Sequence, residues 1–266
     1  MSEHKSQNEA VLDQFTKQAD SYANLVATLP QRSRRASALF EAIRPLPSDE
    51  VLDVACGSGS LTLELARLTR HVTGIDLTAA MIEQGRARQT QAGITNVTWH
   101  LGDVLPLPFP EGTFSLVVSQ AAFHHFSEPL AVLAEMARVC APAGRIAVND
   151  LGPDPETADT FNQIEKLKDP SHVRALTPPQ LRSLGEQIGL VEKAFGSQFT
   201  PTMALETILA TSFPNPGDLD RIRAAYRADA HSGENKLGLK AEFVAGQIMI
   251  QYPMTFIVWK HASSID

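Results

Sequence analysis

Apolar and polar positions change period in a regular way along this chain. Val51-Leu52-Asp53-Val54 is a short apolar run around one acid, and Gly57 and Gly59 follow as a turn. Leucines at 61, 65 and 68 then fall on one helical face, so strand, glycine turn and helix succeed one another. His71 to Asp76 reads as a second strand, and the segment from Leu77 opens a helix with Thr78 at its N-cap. Val97 to Leu101 alternates as a third strand, and Phe114 to Gln120 is a fourth, apolar enough to lie centrally in a sheet. A helix over Pro129 to Val139 leads through Ala141-Pro142-Ala143-Gly144 into the strand Ile146 to Asp150. Residues 177–189 form a helix with proline in its first turn, and Leu190 to Phe199 form a sixth strand. Met249 to Lys260 reads as the last strand, which places Pro253 at its start or in a bulge.

This alternation predicts an α/β fold, a mostly parallel sheet with helices on both faces. Residues 8–43 are helical, with apolar clusters at Val11, Leu12 and Phe15 and again at Tyr22, Leu25 and Val26. Pro45 to Asp49 then punctuates the chain. Between the sixth and last strands, residues 200–246 have a helical period of their own: Leu205, Ile208 and Leu209 share one face, and Ile222, Ala225 and Tyr226 another. A structureless loop of that length is improbable in a compact domain. The segment is read as a helical insertion that, with the N-terminal helices, caps a substrate pocket. The organisation is therefore a helical cap at 1–47 and a main domain at 48–266 carrying the insertion.

Composition narrows the partners. The chain has 266 residues, 43% of them hydrophobic, which suffices for a sizeable core. No stretch approaches the roughly 18–20 uninterrupted apolar residues of a membrane span, and the polar N-terminus lacks a signal-peptide apolar region. Two cysteines, Cys56 and Cys140, exclude a disulfide framework, lack metal-ligand spacing and point to a reducing cytoplasm. Net charge is −7, and the densest basic stretch, Arg32-Ser33-Arg34-Arg35, has no interleaved aromatics and reads as the polar face of a helix. Nucleic acid is disfavoured and a small molecule favoured. Oligomeric state stays open between monomer and homodimer.

The glycine turn invites a nucleotide-like ligand, because only glycine lets backbone approach closely at positive φ without a Cβ penalty. A dinucleotide loop wants a third glycine where this chain has Thr62. Asp53, four residues before Gly57, would repel a pyrophosphate and suits a cationic amine such as the amino-acid end of S-adenosylmethionine. Asp76 stands 19 residues after Gly57, where a carboxylate at a strand tip can accept both ribose hydroxyls. Gly102-Asp103 closes the third strand with another acid.

These residues resemble motif I and the neighbouring strand ends of class I S-adenosylmethionine-dependent methyltransferases. Ala55 stands where the first glycine of that motif often sits, and Ala143 replaces one glycine of the usual Pro-Gly-Gly turn. The resemblance implies a Rossmann-like seven-stranded sheet in the order 3-2-1-4-5-7-6, the seventh strand antiparallel, with S-adenosylmethionine as cofactor and S-adenosylhomocysteine as product. It implies that Asp103 takes the adenine amine. The cofactor-binding set is Asp53, Ala55, Gly57, Gly59, Asp76, Leu77, Asp103, Val104, Gln120 and Tyr22. In relatives of this type the segment resembling Gln14 to Tyr22 folds over the cofactor, and Tyr22 would cover the methionine moiety.

Transfer chemistry has one pointed candidate. His124-His125 follows the fourth strand and resembles the His-His element of the group that includes the ubiquinone and menaquinone C-methyltransferases. An imidazole there can accept a proton near neutral pH, with His125 placed ahead of His124 by family analogy. The bland reading is that one histidine caps the next helix and the other fills the helix–sheet seam. The run Asp169-Pro170-Ser171-His172-Val173-Arg174 recurs in the same group. Arg174 or His172 would hold an anionic substrate group, or Asp169 and Arg174 simply tie down the loop. The expectation is methyl transfer to a small organic acceptor, aromatic or quinone-like, on carbon or oxygen. The alternatives are a nicotinamide-dependent oxidoreductase and a non-catalytic S-adenosylmethionine-binding protein.

Overall fold

The computed structural model describes residues 3–28 and 38–262, with the side chains of 20–28 excepted. Helix α1 (Glu3–Thr28) precedes a short α2 (Ala38–Ile43). The main sheet contains β1 (Glu50–Val54), β2 (His71–Asp76), β3 (Val97–Leu101), β4 (Phe114–Gln120) and β5 (Cys140–Leu151). Its remaining strands are β6 (Leu190–Phe199) and, further along the chain, β10 (Pro253–His261), in the spatial order β3-β2-β1-β4-β5-β10-β6. The first five strands in space run parallel, and β10 is antiparallel to both neighbours. Because β10 is the seventh strand of this sheet, the order is the anticipated 3-2-1-4-5-7-6.

Alternation along the strands builds the two faces. Leu52, Val54, Val117, Ile146, Val148 and Ile257 point to one side, against α5 (Pro129–Val139) and α7 (Pro178–Gln187) through Val132, Leu133, Met136 and Leu181. Val51, Val72, Leu116, Val118, Ala147 and Val258 point to the other, against α2 and α3 (Ser60–Ala66) through Leu39, Phe40, Leu61 and Leu65. Helix α4 (Ala79–Gln91) links β2 to β3. Arg145 joins these layers at the base: its guanidinium donates to both carboxylate oxygens of buried Asp49 at 2.5 Å and to the carbonyls of Ile43 and Arg44.

Three parts of the sequence reading need correction. Helix α6 (Ala158–Lys168) fills a stretch after the fifth strand that the reading passed over; it buries Phe161, Ile164 and Glu165 at helical spacing. The insertion is not wholly helical. Helices α8 (Leu205–Leu209) and α9 (Asp218–Ser232) pack on a three-stranded antiparallel sheet made of β7 (Met203–Ala204), β8 (Glu242–Val244) and β9 (Gln247–Ile250). Leu205, Ile208, Leu209, Ile222 and Tyr226 share a separate core there with Phe161 and Ile250. Third, Met249 and Ile250 belong to β9 and not to the last strand. Pro253 has no N–H to give a ladder, and the Gln251 and Tyr252 amides are bonded to the Leu239 carbonyl and the Thr200 hydroxyl. The chain therefore leaves one sheet at Ile250 and enters the other at Pro253. The basic stretch at 32–35 lies outside the described residues.

Candidate active site

A cavity of about 1080 Å³, counting its open mouth, sits at the C-terminal ends of β1, β2 and β4 and under α1. Open α/β sheets hold ligands at this place, where the strand order reverses. Asp53, Ala55, Gly57, Asp76, Leu77, Asp103, Val104 and Gln120 all line it, so most of the residues singled out from the sequence converge. Gly59 and His124 are not among the lining residues, and the Tyr22 side chain lies outside the described residues.

The two glycines of the turn do different things. Gly57 (φ +53°) faces open space, with no atom within 4 Å of where a Cβ would stand. Gly59 (φ +76°) is at the N-cap of α3, and a Cβ there would come within 2.2 Å of the Trp99 ring. Gly74 and Gly85 also abut this indole, so Trp99 is a wedge beneath the loop, and small residues around it let it in. Ala55 and Ala121 take left-handed backbone, φ +55° and +54°, although both carry a Cβ. Such conformations cost energy and persist where the surroundings over-determine them, here at two strand tips facing one cavity.

The three acids differ in their state. Asp53 is 1% exposed and accepts a 2.6 Å bond from the Thr62 hydroxyl. Burial pushes its pKa up; the Thr62 bond opposes and the Asp76 charge adds, leaving it at about 7. Thr62 is thus more than a missing glycine: it is the donor that holds this carboxyl. Asp76 takes the Gly57 amide at 2.7 Å on one oxygen and the Thr78 amide at 2.9 Å on the other. A carboxylate offers about four lone-pair sites, so both oxygens can still accept from a ligand. Asp103 is occupied from α1, with His4 Nε2 at 2.9 Å and Asn8 Nδ2 at 2.6 Å from the same oxygen.

The sequence reading put the N-terminal helices over the pocket, but not the α1 residues that line it. His4, Gln7, Asn8, Val11 and Phe15 line the cavity, spaced as one helical face. That spacing was the available signal, but a polar start to the stripe hid it. Gln7 donates to the carbonyls of His125 at 3.0 Å and Ser171 at 2.6 Å, which ties α1 to the loop around the histidines.

The histidine pair separates into two environments. His124 Nδ1 lies 2.6 Å from Asp150 Oδ1, while Asp150 Oδ2 takes the amides of Ala122 and Phe123. Burial works against a charge on His124, but the Asp150 carboxylate prevails and raises its pKa. His125 is 7% exposed, lines the cavity and meets the Phe15 ring edge-on at 5.0 Å. Burial, and then the neighbouring His124 charge, push its pKa down to about 4. In the 169–174 loop, His172 is 1% exposed and bonded to Asn162, and Arg174 reaches Asp159 at the protein surface. Neither lines the cavity, and Asp169 caps Ser171, so the loop-fastening reading is the one with contacts behind it. Among the described residues no group of three or more His, Cys, Asp or Glu is placed to hold a metal, and no helix is long and apolar enough to cross a membrane.

Comparison with known proteins bears on this geometry. Residues 51–144 match a family described as a methyltransferase domain. The uncharacterized methyltransferase YcgJ of Bacillus subtilis is 34% identical over 126 residues, 47% of this chain and 50% of that protein. A demethylmenaquinone methyltransferase of Listeria monocytogenes is 30% identical over 151 residues, 55% of this chain and 64% of that one. The 27-O-demethylrifamycin SV methyltransferase of Amycolatopsis mediterranei is 28% identical over 54% of each chain. The chain thus spans about half the length of the first curated relatives it matches. In fold the likeness runs further. The solved YcgJ structure superposes with a TM-score of 0.75, covering 84% of this chain and 96% of that one at 21% identity. The [4+2]-cyclase SpnF does so with 0.59, over 86% of this chain and 80% of its own, at 16% identity. With motif, domain match and sheet order in agreement, residues 51–144 carry a methyltransferase domain, and the chain has the fold of the solved structures it resembles.

Proposed function

We propose that the protein methylates a small, uncharged organic acceptor, aromatic or quinone-like, at carbon or oxygen. The observation that carries the reading is the set of carboxylates at three successive strand ends, all facing one cavity with His125. In this reading Asp53 takes the ammonium of the cofactor, Asp76 the ribose hydroxyls, and Asp103 with Val104 the adenine. Ala55, Gly57, Leu77 and Gln120 shape the space between them. Asp53 supports the fit most directly, since a buried carboxyl lifted to about 7 lacks a cation that a ligand ammonium would supply. When bound, S-adenosylmethionine supplies an electrophilic methyl group on a sulfonium. The chain contributes alignment and exclusion of water, which suffice for much of an in-line transfer. His125 is the group that would take a proton from the acceptor, being uncharged at neutral pH and on the cavity wall.

The lining also bears on the acceptor. Among the described residues no Lys or Arg borders the cavity, while Val11, Phe15, Phe126 and Val132 do. An anionic acceptor would find no counter-charge there, so an uncharged ring system fits better. Relatives named for demethylmenaquinone and 27-O-demethylrifamycin SV support the same class. Helix α1 would close the acceptor side as a cap, whereas no described residue of the 200–246 segment borders this cavity.

A fold alone does not decide chemistry, and the cyclase that shares this fold keeps a binding protein without methyl transfer as the second reading. Calorimetry with S-adenosylhomocysteine and with NAD comes first: binding of the former and not the latter is expected, and the reverse would sink the proposal. Asp76→Ala should weaken S-adenosylhomocysteine at least about tenfold, from the ~1.5–3 kcal/mol of hydrogen bonds to a charged group. Radiolabelled methyl transfer to a panel of phenols and quinols, with His125→Gln alongside, then tests catalysis. An unaltered rate in that variant across pH 6–8 would remove the general base.

A further inference from the structure

The loop that carries Asp169 and Ser171 meets His125 at Nδ1, and its polar groups fit together in only one way. His125 Nδ1 lies 3.1 Å from the Ser171 carbonyl oxygen and 3.1 Å from the Ser171 hydroxyl. A carbonyl oxygen only accepts. The hydroxyl also sits 2.6 Å from Asp169 Oδ1, which additionally takes the Ser171 amide at 2.8 Å. Burial would raise the Asp169 pKa, but the group is held below the usual carboxylate range; with His125 uncharged, the two Ser171 bonds and the His124 charge are what favour its ionised form. An ionised carboxylate only accepts, so the hydroxyl proton points to Asp169 and the hydroxyl oxygen is left to accept from the ring. Both neighbours of Nδ1 are therefore acceptors.

We infer that Asp169 and Ser171 are positioning residues that lock His125 in its Nδ1–H tautomer and so make Nε2 the nitrogen that receives the acceptor's proton. Nε2 has no hydrogen-bond partner among the described residues, and the ring lines the cavity. The inference rests on the proposed role of His125 as base. In the step, the acceptor's proton moves to Nε2 and its bonding pair stays on the acceptor atom. That pair forms the new bond to the methyl carbon as the carbon–sulfur pair returns to sulfur. The ring is left as an imidazolium whose Nδ1–H still points at Ser171, with the Asp169 carboxylate behind it. The other groups around the ring explain why such support is needed. The His124 ring lies tilted 4.2 Å away, with Asp150 favouring its charged form, and His172 stands 6.4 Å away, bonded to Asn162 and uncharged. Gln7 of α1 donates to the same Ser171 carbonyl, so closure of the N-terminal helix over the cavity holds the acceptor of Nδ1–H in place.

Long-range ¹⁵N–¹H correlation spectra of histidine-labelled full-length protein with S-adenosylhomocysteine test this without any acceptor. His125 is identified by the signals missing from H125Q. At pH 7 the wild type is expected to show one tautomer, protonated at Nδ1 and bare at Nε2. D169N and D169A release the Ser171 proton toward the ring, and the Nε2–H form should rise by about tenfold, the change expected for one lost hydrogen bond to a charged group. An Nε2–H tautomer in the wild type overturns the inference, as does an unchanged single tautomer in both folded variants, with folding checked by melting temperature. If the tautomer is as expected but H125Q still transfers methyl at the full rate, the assignment stands and the general-base reading falls.

Discussion

With Asp53 as the proposed partner of the cofactor's ammonium, cofactor binding becomes a proton-linked event. The folded Asp53 pKa of about 7 lies above the ordinary carboxyl value of 3.8, chiefly because the carboxyl is buried. The cofactor-free protein therefore favours protonated Asp53. That contribution to stability is complete below about pH 4 and is lost as pH rises through 7, on the order of 4 kcal/mol. An ammonium placed against Asp53 selects the ionised form and releases the proton. Apparent affinity then scales with the fraction already ionised, and S-adenosylhomocysteine should bind about eightfold more weakly at pH 6 than at pH 7.5, or ~1.2 kcal/mol. Calorimetry at pH 7 in two buffers of different ionisation heat should report release of about half a proton. Asp76 is also raised by burial, so Asp53→Asn is the control. That variant should bind more weakly and lose most of the pH dependence. An affinity that is flat from pH 6 to 7.5, with no proton released, would refute the contact.

Two further substitutions probe the surroundings. Gly59→Ala combines a left-handed backbone with a Cβ 2.2 Å from the Trp99 ring, so urea unfolding should show a loss of roughly 3 kcal/mol; a loss under 1 kcal/mol would mean that the indole moves freely. Asn8→Ala removes a 2.6 Å donor from the Asp103 oxygen that the adenine amine is proposed to use. S-adenosylhomocysteine should then bind roughly threefold more tightly, since about 0.5–1.5 kcal/mol of competing hydrogen bond is gone. Weaker binding would instead place Asn8 in the closed cofactor site as a partner of Asp103.

Much of the fold was legible in local pattern. Parallel strands buried on both faces read as apolar runs, and the glycine turn with acids at 53, 76 and 103 marks three consecutive strand ends. Those features are short-range: a strand, its turn and its terminal acid are contiguous. The order of strands followed from the resemblance of these motifs, and β10 took the place it implied. The insertion was legible only where helices repeat long enough to show a period. Strands of two to four residues, β7 to β9, are too short for alternation to register.

The site divides along the same line. Sequence alone determined that an acid stands inside the first strand, the feature that points to a cationic ligand group at the turn. Only the tertiary structure decided that Thr62 holds that acid, that His4 and Asn8 reach Asp103 across 95 and more residues, and that His124 and His125 part company. Asp150 takes one histidine, and Ser171 with Asp169 takes the other. The physical reason is that protonation state depends on burial and on which donor or acceptor lies within about 3 Å, and those neighbours come from distant segments that no local period connects.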